Sequence, residues 1–240
     1  MERADWLKRM QRNAEALYDH ISPQYWVTFG QSQDVTHQEY LLMFLKRVVP
    51  GGVILSAACG AGRYDGPLLD AGHPVVGIDQ SAGMLARAKE HYPEARYEKM
   101  ALQEMHFRES FDGVICMDAM EHICPEDYPG ILRSFQEALK PGGVLYFTAD
   151  RAEEPDFDLA YYYEQAQASG IPAVYGEAAD EVAYKQAMEQ AEVSGEQSDI
   201  AVYHYFPPLA QVRAWIEQAG LAIEEEGAGS GFHHFVAGKR

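Results

Sequence analysis

The sequence predicts an α/β fold: a doubly wound, mostly parallel seven-stranded sheet with a terminal antiparallel hairpin, N-terminal helices and a helical lid insertion. Three observations carry that expectation. Apolar runs at 53–57, 74–78, 95–99, 112–117 and 143–149 alternate with stretches of helical spacing, as strands buried on both faces of a parallel sheet do. The first run stops at the small-residue turn Ala58-Cys59-Gly60-Ala61-Gly62, and the second ends in Asp79. Two later runs, 221–226 and 232–237, flank Gly227-Ala-Gly-Ser-Gly231 and read as a hairpin.

The elements follow in order. Trp6, Met10, Ala14, Leu17 and Ile21 fall at helical spacing over residues 2–21, and Ser22-Pro23 is expected to end that helix. A second helix is expected over 36–48, with Leu41, Phe44, Leu45 and Val48 on one side and Pro50-Gly51-Gly52 closing it. Between the strands, helices are expected over 63–71, 82–91 and 127–139, with a short turn near 102–105. Tyr128, Ile131, Leu132, Phe135 and Leu139 form a clear stripe on the last of these, and Pro141-Gly142-Gly143 breaks it. Residues 151–203 are too many for a connection without structure of its own. Their Ala, Glu, Gln and Tyr content predicts helices, with a break at Gly170-Ile-Pro172, and their departure from a strand's carboxyl end makes them a natural lid. Leu209, Val212, Trp215 and Ile216 mark a further helix ended by Gly220. The chain thus divides into a helical cap over 1–50, a core of 51–150 and 204–240, and the insertion over 151–203.

Composition bounds the function. The formal net charge of −18 over 240 residues disfavours a nucleic-acid surface, which needs clustered Lys and Arg. Between Arg151 and Tyr205 there are twelve acids against two basic residues, which suits a solvated helical face or the attraction of a cationic substrate. No apolar run reaches the length of a membrane span, and the acidic N-terminus is not expected to be a secretory leader. Cys59, Cys116 and Cys124 form an odd set with no CxxC pair, which predicts a reduced, cytoplasmic protein without a zinc or other metal site.

The loop and the acid together describe a nucleotide-type pocket. Small residues let backbone approach a ligand at a helix N-terminus, and an acid at the next strand tip can accept from two ribose hydroxyls. Five stretches then occur in order: Leu55-Ser-Ala-Ala-Cys-Gly-Ala-Gly-Arg63, Gly77-Ile-Asp79-Gln-Ser-Ala-Gly-Met-Leu85, Ser110-Phe-Asp-Gly-Val-Ile115, Met120-Glu-His-Ile123 and Leu139-Lys-Pro-Gly-Gly-Val-Leu145. On these the chain resembles the class I S-adenosylmethionine (SAM)-dependent methyltransferases of the small-molecule kind, over residues 40–150 and the terminal helix and hairpin. The resemblance implies a Rossmann-like methyltransferase fold, SAM as cofactor and a small-molecule acceptor. It places backbone at Ala58, Cys59, Gly60 and Gly62 along the methionine and ribose of SAM, and Asp79 on the ribose. Gln80 and Met84 flank the adenine, Ala101 and Leu102 face its edge, and Met117 lies near the ammonium. Tyr18, Tyr25 and Trp26 resemble residues that fold over the cofactor mouth.

The chain departs from the family's pattern at three positions. Ser56 stands where an acid is usual, Ala58 where a glycine is usual, and Ala101 where a second acid is usual. These departures keep a second reading open, a catalytically degenerate SAM-binding or regulatory protein of the same fold. A nicotinamide dehydrogenase is disfavoured, because Asp65 stands where the third glycine of GxGxxG belongs. Methyl transfer from a sulfonium asks the protein for positioning and, where needed, removal of a proton from the nucleophile. His122, just past the fourth strand, and His204, where the lid returns, are the candidate bases, and Glu121 is placed to orient a base or a cationic amine. Phe157, Tyr161-Tyr-Tyr163, Tyr175 and Tyr184 are expected to form lid core or to wall the acceptor pocket, whereas His233 and His234 read as core and edge positions. The sequence leaves open the acceptor, the choice among O-, N- and C-methylation, and the oligomeric state.

Overall fold

The computed structural model of the chain describes residues 3–30, 35–150, 173–174, 202–203 and 207–240. Two helices, α1 (Arg3–Phe29) and α2 (Val35–Leu45), precede the alternating region. There follow β1 (Ile54–Ala57), α3 (Asp65–Asp70), β2 (Val75–Asp79), α4 (Ala82–His91), β3 (Arg96–Lys99), β4 (Phe111–Cys116), α5 (Tyr128–Ala138) and β5 (Leu139–Asp150), with single 3-10 turns at Leu102–Glu104 and Met120–His122. Two dipeptides, β6 (Ala173–Val174) and β7 (Val202–Tyr203), pair in parallel. Helix α6 (Leu209–Gln218) leads into β8 (Leu221–Gly229) and β9 (Phe232–Lys239). The insertion's predicted helices, its aromatic stretch and His204 lie outside the described residues.

The seven-stranded sheet has the order β3-β2-β1-β4-β5-β9-β8. The first five strands are parallel, and β9 runs antiparallel between β5 and β8. Strand order reverses between β1 and β4, and such a reversal opens a crevice at the carboxyl ends of the two strands. One face is packed by α5 and α6, with Tyr128, Leu132, Phe135, Val212 and Ile216 fully or almost fully buried. On the other, Leu41 and Phe44 of α2 cover Ile54, Ile115, Tyr146 and Val236. Asp112 ties the frame near the amino ends of the strands. Its Oδ2 accepts from the Val53 amide at 2.9 Å and from Lys140 Nζ at 2.7 Å.

Two expectations need correction. Helix α1 does not end at Pro23 but continues to Phe29. Proline at 23 removes the amide that would bond the Asp19 carbonyl four residues back, and the Ser22 hydroxyl donates to that carbonyl instead, at 2.9 Å. The hairpin loop is also shorter than its glycines suggest. Ser230 and Gly231, at φ 55° and 83°, make the turn, and both strands run up to it. Gly227 and Gly229 lie inside β8 because α2 crosses there: a side chain at Gly227 would run into the Tyr40 hydroxyl, and one at Gly229 into Thr36.

Candidate functional site

The crevice is built first by the loop after β1. Ala58 and Gly60 both take left-handed conformations, at φ 53° and 55°, which fold the chain tightly back over the strand tips. The Cys59 amide donates to the Ile78 carbonyl at 2.9 Å and so fixes the loop to β2. Asp79 at the end of β2 completes the tie, its Oδ2 accepting from the Gly60 amide at 2.8 Å and its Oδ1 from the Ser81 amide at 2.8 Å. Burial pushes this carboxyl up to about 6, while the Ser81 and Gly60 amides pull it down and Asp19 pushes it up. The Gln80 amide pulls it down as well.

Helix α1 lies over this crevice. Asp19 Oδ1 accepts from the Ser81 hydroxyl at 2.6 Å and from the Gly83 amide at 2.8 Å, and Ser81 Oγ accepts from the Met84 amide at 3.0 Å. The N-terminus of α4 is thereby capped by its own serine and by an acid from α1. Further along, the Trp26 ring stacks on His91 at 3.6 Å. One residue before Asp19, Tyr18 has its hydroxyl 2.7 Å from His122 Nε2 and its ring edge-on to the imidazole.

At the tip of β4, Asp118 is held in a left-handed conformation at φ 50°. Its Oδ1 is 2.9 Å from His37 Nε2 on α2, and its Oδ2 accepts from the Tyr64 hydroxyl at 2.8 Å and lies 3.1 Å from Arg63. Its amide donates to Thr148 Oγ1 at 2.8 Å. Burial alone would push the Asp118 carboxyl up, but His37, Arg63 and Tyr64 hold it below the usual carboxylate range. Arg63 also donates to the Tyr64 hydroxyl at 2.7 Å, and its buried Nε has no hydrogen-bond partner among the described residues. Tyr25 of α1 faces the same group. Burial pushes its phenol up to about 12, against the pull of Arg63.

These elements line a cleft that is partly open to solvent. Ala58, Cys59, Gly60, Asp79, Gln80, Met84, Ala101, Leu102, Met117 and His122 all line it. Two expected positions do not. Gly62 turns away from the cleft: a side chain there would meet Tyr92 at 3.1 Å and Asp65 at 3.2 Å, so this glycine serves the packing of α3 and α4. Glu121 is buried behind the wall, its Oε1 3.8 Å from His122 Nε2. Burial pushes the Cys59 thiol well up, which leaves it a neutral part of the wall. Sequence reasoning passed over Arg63, Tyr64, Gln103 and the side chain of Asp118, which also line the cleft. The arginine directly follows the glycine loop and was the findable signal. His37 gave none.

The three departures have local explanations. Position 58 favours glycine because its φ is positive, and alanine is accommodated there at a cost in strain. Ser56 hydrogen-bonds Asp65, which is fully buried on α3 and accepts from the Tyr97 hydroxyl at 2.9 Å. Burial pushes Asp65 up to about 6, with the Ser56 and Tyr97 hydroxyls pulling it back. At Ala101 the amide is taken by Glu104 Oε2 at 3.2 Å, and Gln103 brings a polar side chain to the same stretch of wall.

His233 and His234 are held structurally. His234 Nδ1 is 3.0 Å from the Tyr146 hydroxyl and its Nε2 3.2 Å from the Gly229 carbonyl, while His233 Nε2 is 3.2 Å from Glu226. Among the described residues no group of three His, Cys, Asp or Glu side chains is placed to hold a metal, and no helix is long and apolar enough to cross a membrane.

Residues 54–143 match the family described as a methyltransferase domain. A ubiquinone biosynthesis O-methyltransferase of Bradyrhizobium sp. strain ORS 278 is 34% identical over 111 residues, which is 45% of this chain and 43% of that protein. An uncharacterized methyltransferase of Synechocystis sp. is 34% identical over 99 residues, 41% of this chain and 47% of that protein. The chain therefore spans less than half the length of these curated relatives in the matched region. Among solved structures, the PH0226 protein of Pyrococcus horikoshii OT3 superposes with a TM-score of 0.63 at 21% identity, over 90% of this chain and 99% of that one. The 1,6-didemethyltoxoflavin-N1-methyltransferase of Burkholderia thailandensis, with 1,6-didemethyltoxoflavin and S-adenosylhomocysteine bound, gives 0.62 at 15% identity, over 95% and 89%. At these identities the likeness is one of fold.

Proposed function

We propose that this chain, a class I SAM-dependent methyltransferase in fold and motif, transfers the SAM methyl group to an oxygen of a small-molecule acceptor. The observation that carries the cofactor reading is the Asp79 carboxylate, fixed by two amides at the lip of the cleft beside the glycine loop. The oxygen acceptor is supported by the O-methyltransferase relatives.

The residues present fit the cofactor. Asp79, at the lip of the cleft, is a charged acceptor for the ribose hydroxyls. Met84, Leu102 and Ala101 offer an apolar slot for a flat base, and Gln103 an amide for its polar edge. Arg63, with a buried Nε still to be satisfied, suits the carboxylate of the methionine portion, and Asp118, held ionised beside it, suits the ammonium. When bound, SAM supplies a methyl group already activated on a sulfonium sulfur. The protein's share is to align the acceptor, exclude water and take a proton from it. His122 is placed for the last of these, with buried Glu121 beside it to favour the imidazolium. The insertion over 151–203 is proposed as the acceptor-side lid. The three free cysteines suit a reduced, cytoplasmic setting.

Calorimetric titration with SAM and with S-adenosylhomocysteine tests the cofactor reading. We expect binding of both with no competition from NAD. No heat at millimolar SAM would overturn it. Transfer of labelled methyl from SAM to a panel of phenols, catechols and amines tests the acceptor, with oxygen products expected.

A further inference from the structure

We infer that Tyr18 is a catalytic residue, its phenol taking the acceptor's proton while passing its own to His122. The inference rests on the methyltransferase reading above and deepens it. His122 Nε2 lies 2.7 Å from the Tyr18 hydroxyl, and the two rings meet edge-on at 5.3 Å and 79°. That nitrogen is covered by the tyrosine. Both residues line the cleft, and His122 Nε2 is already engaged by the Tyr18 hydroxyl. With a neutral imidazole accepting at Nε2, the phenol's hydrogen is committed to the histidine, and a phenol oxygen can itself accept from a donor.

The surroundings suit this arrangement. On the histidine's own turn, Glu121 is buried with Oε1 3.8 Å from Nε2, so a carboxylate favours the imidazolium that forms. From α1, the Tyr25 ring stands edge-on to Tyr18 at 6.2 Å and limits its swing. The Asp19 bonds to Ser81 and Gly83 hold the next residue of α1 in place. The step balances. The acceptor O–H proton moves to Tyr18 Oη as the Tyr18 proton moves to His122 Nε2. The acceptor oxygen forms its bond to the methyl carbon as the carbon–sulfur bond breaks, and that electron pair stays on sulfur. His122 then returns its proton to water, and the Tyr18–His122 bond is restored.

Tyr18→Phe keeps the ring and removes only the hydroxyl. We expect kcat with a phenol or catechol acceptor to fall about 100-fold, with S-adenosylhomocysteine affinity unchanged within about twofold. His122→Gln should lose a similar factor, and the double variant no more than the worse single, because both remove one path. Acceptors already ionised at the assay pH need no base, so Tyr18→Phe should regain most of the wild-type rate with them. A second readout needs no turnover. 4-Nitrocatechol bound to the S-adenosylhomocysteine-loaded protein should ionise at lower pH, by its visible absorbance, in the wild type than in Tyr18→Phe.

The failures are distinguishable. No methyl transfer by the wild type to any phenol or catechol sinks the proposed oxygen transfer and the relay with it. Normal wild-type turnover with Tyr18→Phe equally fast overturns the relay alone. So does an equal loss on ionised and neutral acceptors, which marks Tyr18 as merely structural.

Discussion

The Asp79 carboxylate reaches 2.8 Å to the Gly60 amide, so the acid at the tip of β2 and the loop after β1 are one structural unit. Cutting that tie affects both the loop and the ligand. Asp79→Ala should weaken SAM binding by about 10- to 100-fold, from the loss of charge-assisted hydrogen bonds worth about 1.5–3 kcal/mol. Isothermal titration reads this, and an unchanged affinity would place the ribose elsewhere.

The same carboxyl sets a pH dependence. Burial raises Asp79 and Asp65 from the ordinary 3.8 to about 6, so in that interval the folded chain holds more protons than the unfolded one. Their contribution to stability therefore increases as pH falls from about 6 toward 4. Cofactor affinity moves the other way, because a protonated Asp79 is a poorer acceptor for ribose. Asp118, Asp112 and Glu226 are shifted down and give stability at neutral pH that is lost in acid below the ordinary carboxylate range. Between pH 7 and 5, SAM titrations should show weakening affinity, while thermal melts show no loss from the two raised acids.

The fold was legible because its signals are local. A strand, a small-residue turn and a helix write their periods into consecutive residues, as Val75–Asp79 followed by Ala82–His91 does. The errors arose where a distant or unusual partner decides. Pro23 is rescued by the Ser22 hydroxyl, and Gly227 and Gly229 are strand residues because Tyr40 and Thr36 lie over them. In the candidate site Asp79 stands at the end of β2 and lines the cleft, a position its place after an apolar run suggests. The contact of Asp118 with His37 spans 81 residues, and that of Tyr18 with His122 spans 104. Neither pair has a spacing that local periodicity can reveal. Asp65, which marks a missing glycine in the sequence, bonds to Ser56 and Tyr97 from 9 and 32 residues away, and no local pattern reveals that role.

Ala58 gives a test of strain. At φ 53° its Cβ crowds the backbone, a cost of about 1–2 kcal/mol that glycine does not bear. Ala58→Gly should raise unfolding stability by about 1 kcal/mol after the extra chain entropy of glycine is offset. Denaturant unfolding with and without SAM checks it. Equal stability of the two proteins would mean the loop relaxes around the methyl group.

Arg63 separates two parts of the cofactor. Its guanidinium is braced by Asp118 at 3.1 Å and by the Tyr64 hydroxyl at 2.7 Å, with a buried Nε left over for an anion. If that anion is the methionine carboxylate, the arginine matters only to ligands that carry one. Arg63→Met should then weaken S-adenosylhomocysteine by about 10-fold or more and leave 5′-methylthioadenosine, which lacks the amino-acid end, nearly unchanged. The bracing acid complicates the simple comparison, since Asp118 without its cation repels a carboxylate on its own. Because Asp118 is also assigned to the ammonium, Arg63→Met with Asp118→Asn removes that repulsion together with a contact, and affinity for S-adenosylhomocysteine should not recover. Equal losses for both ligands in the single variant would instead make Arg63 a support for the loop, with the carboxylate bound elsewhere.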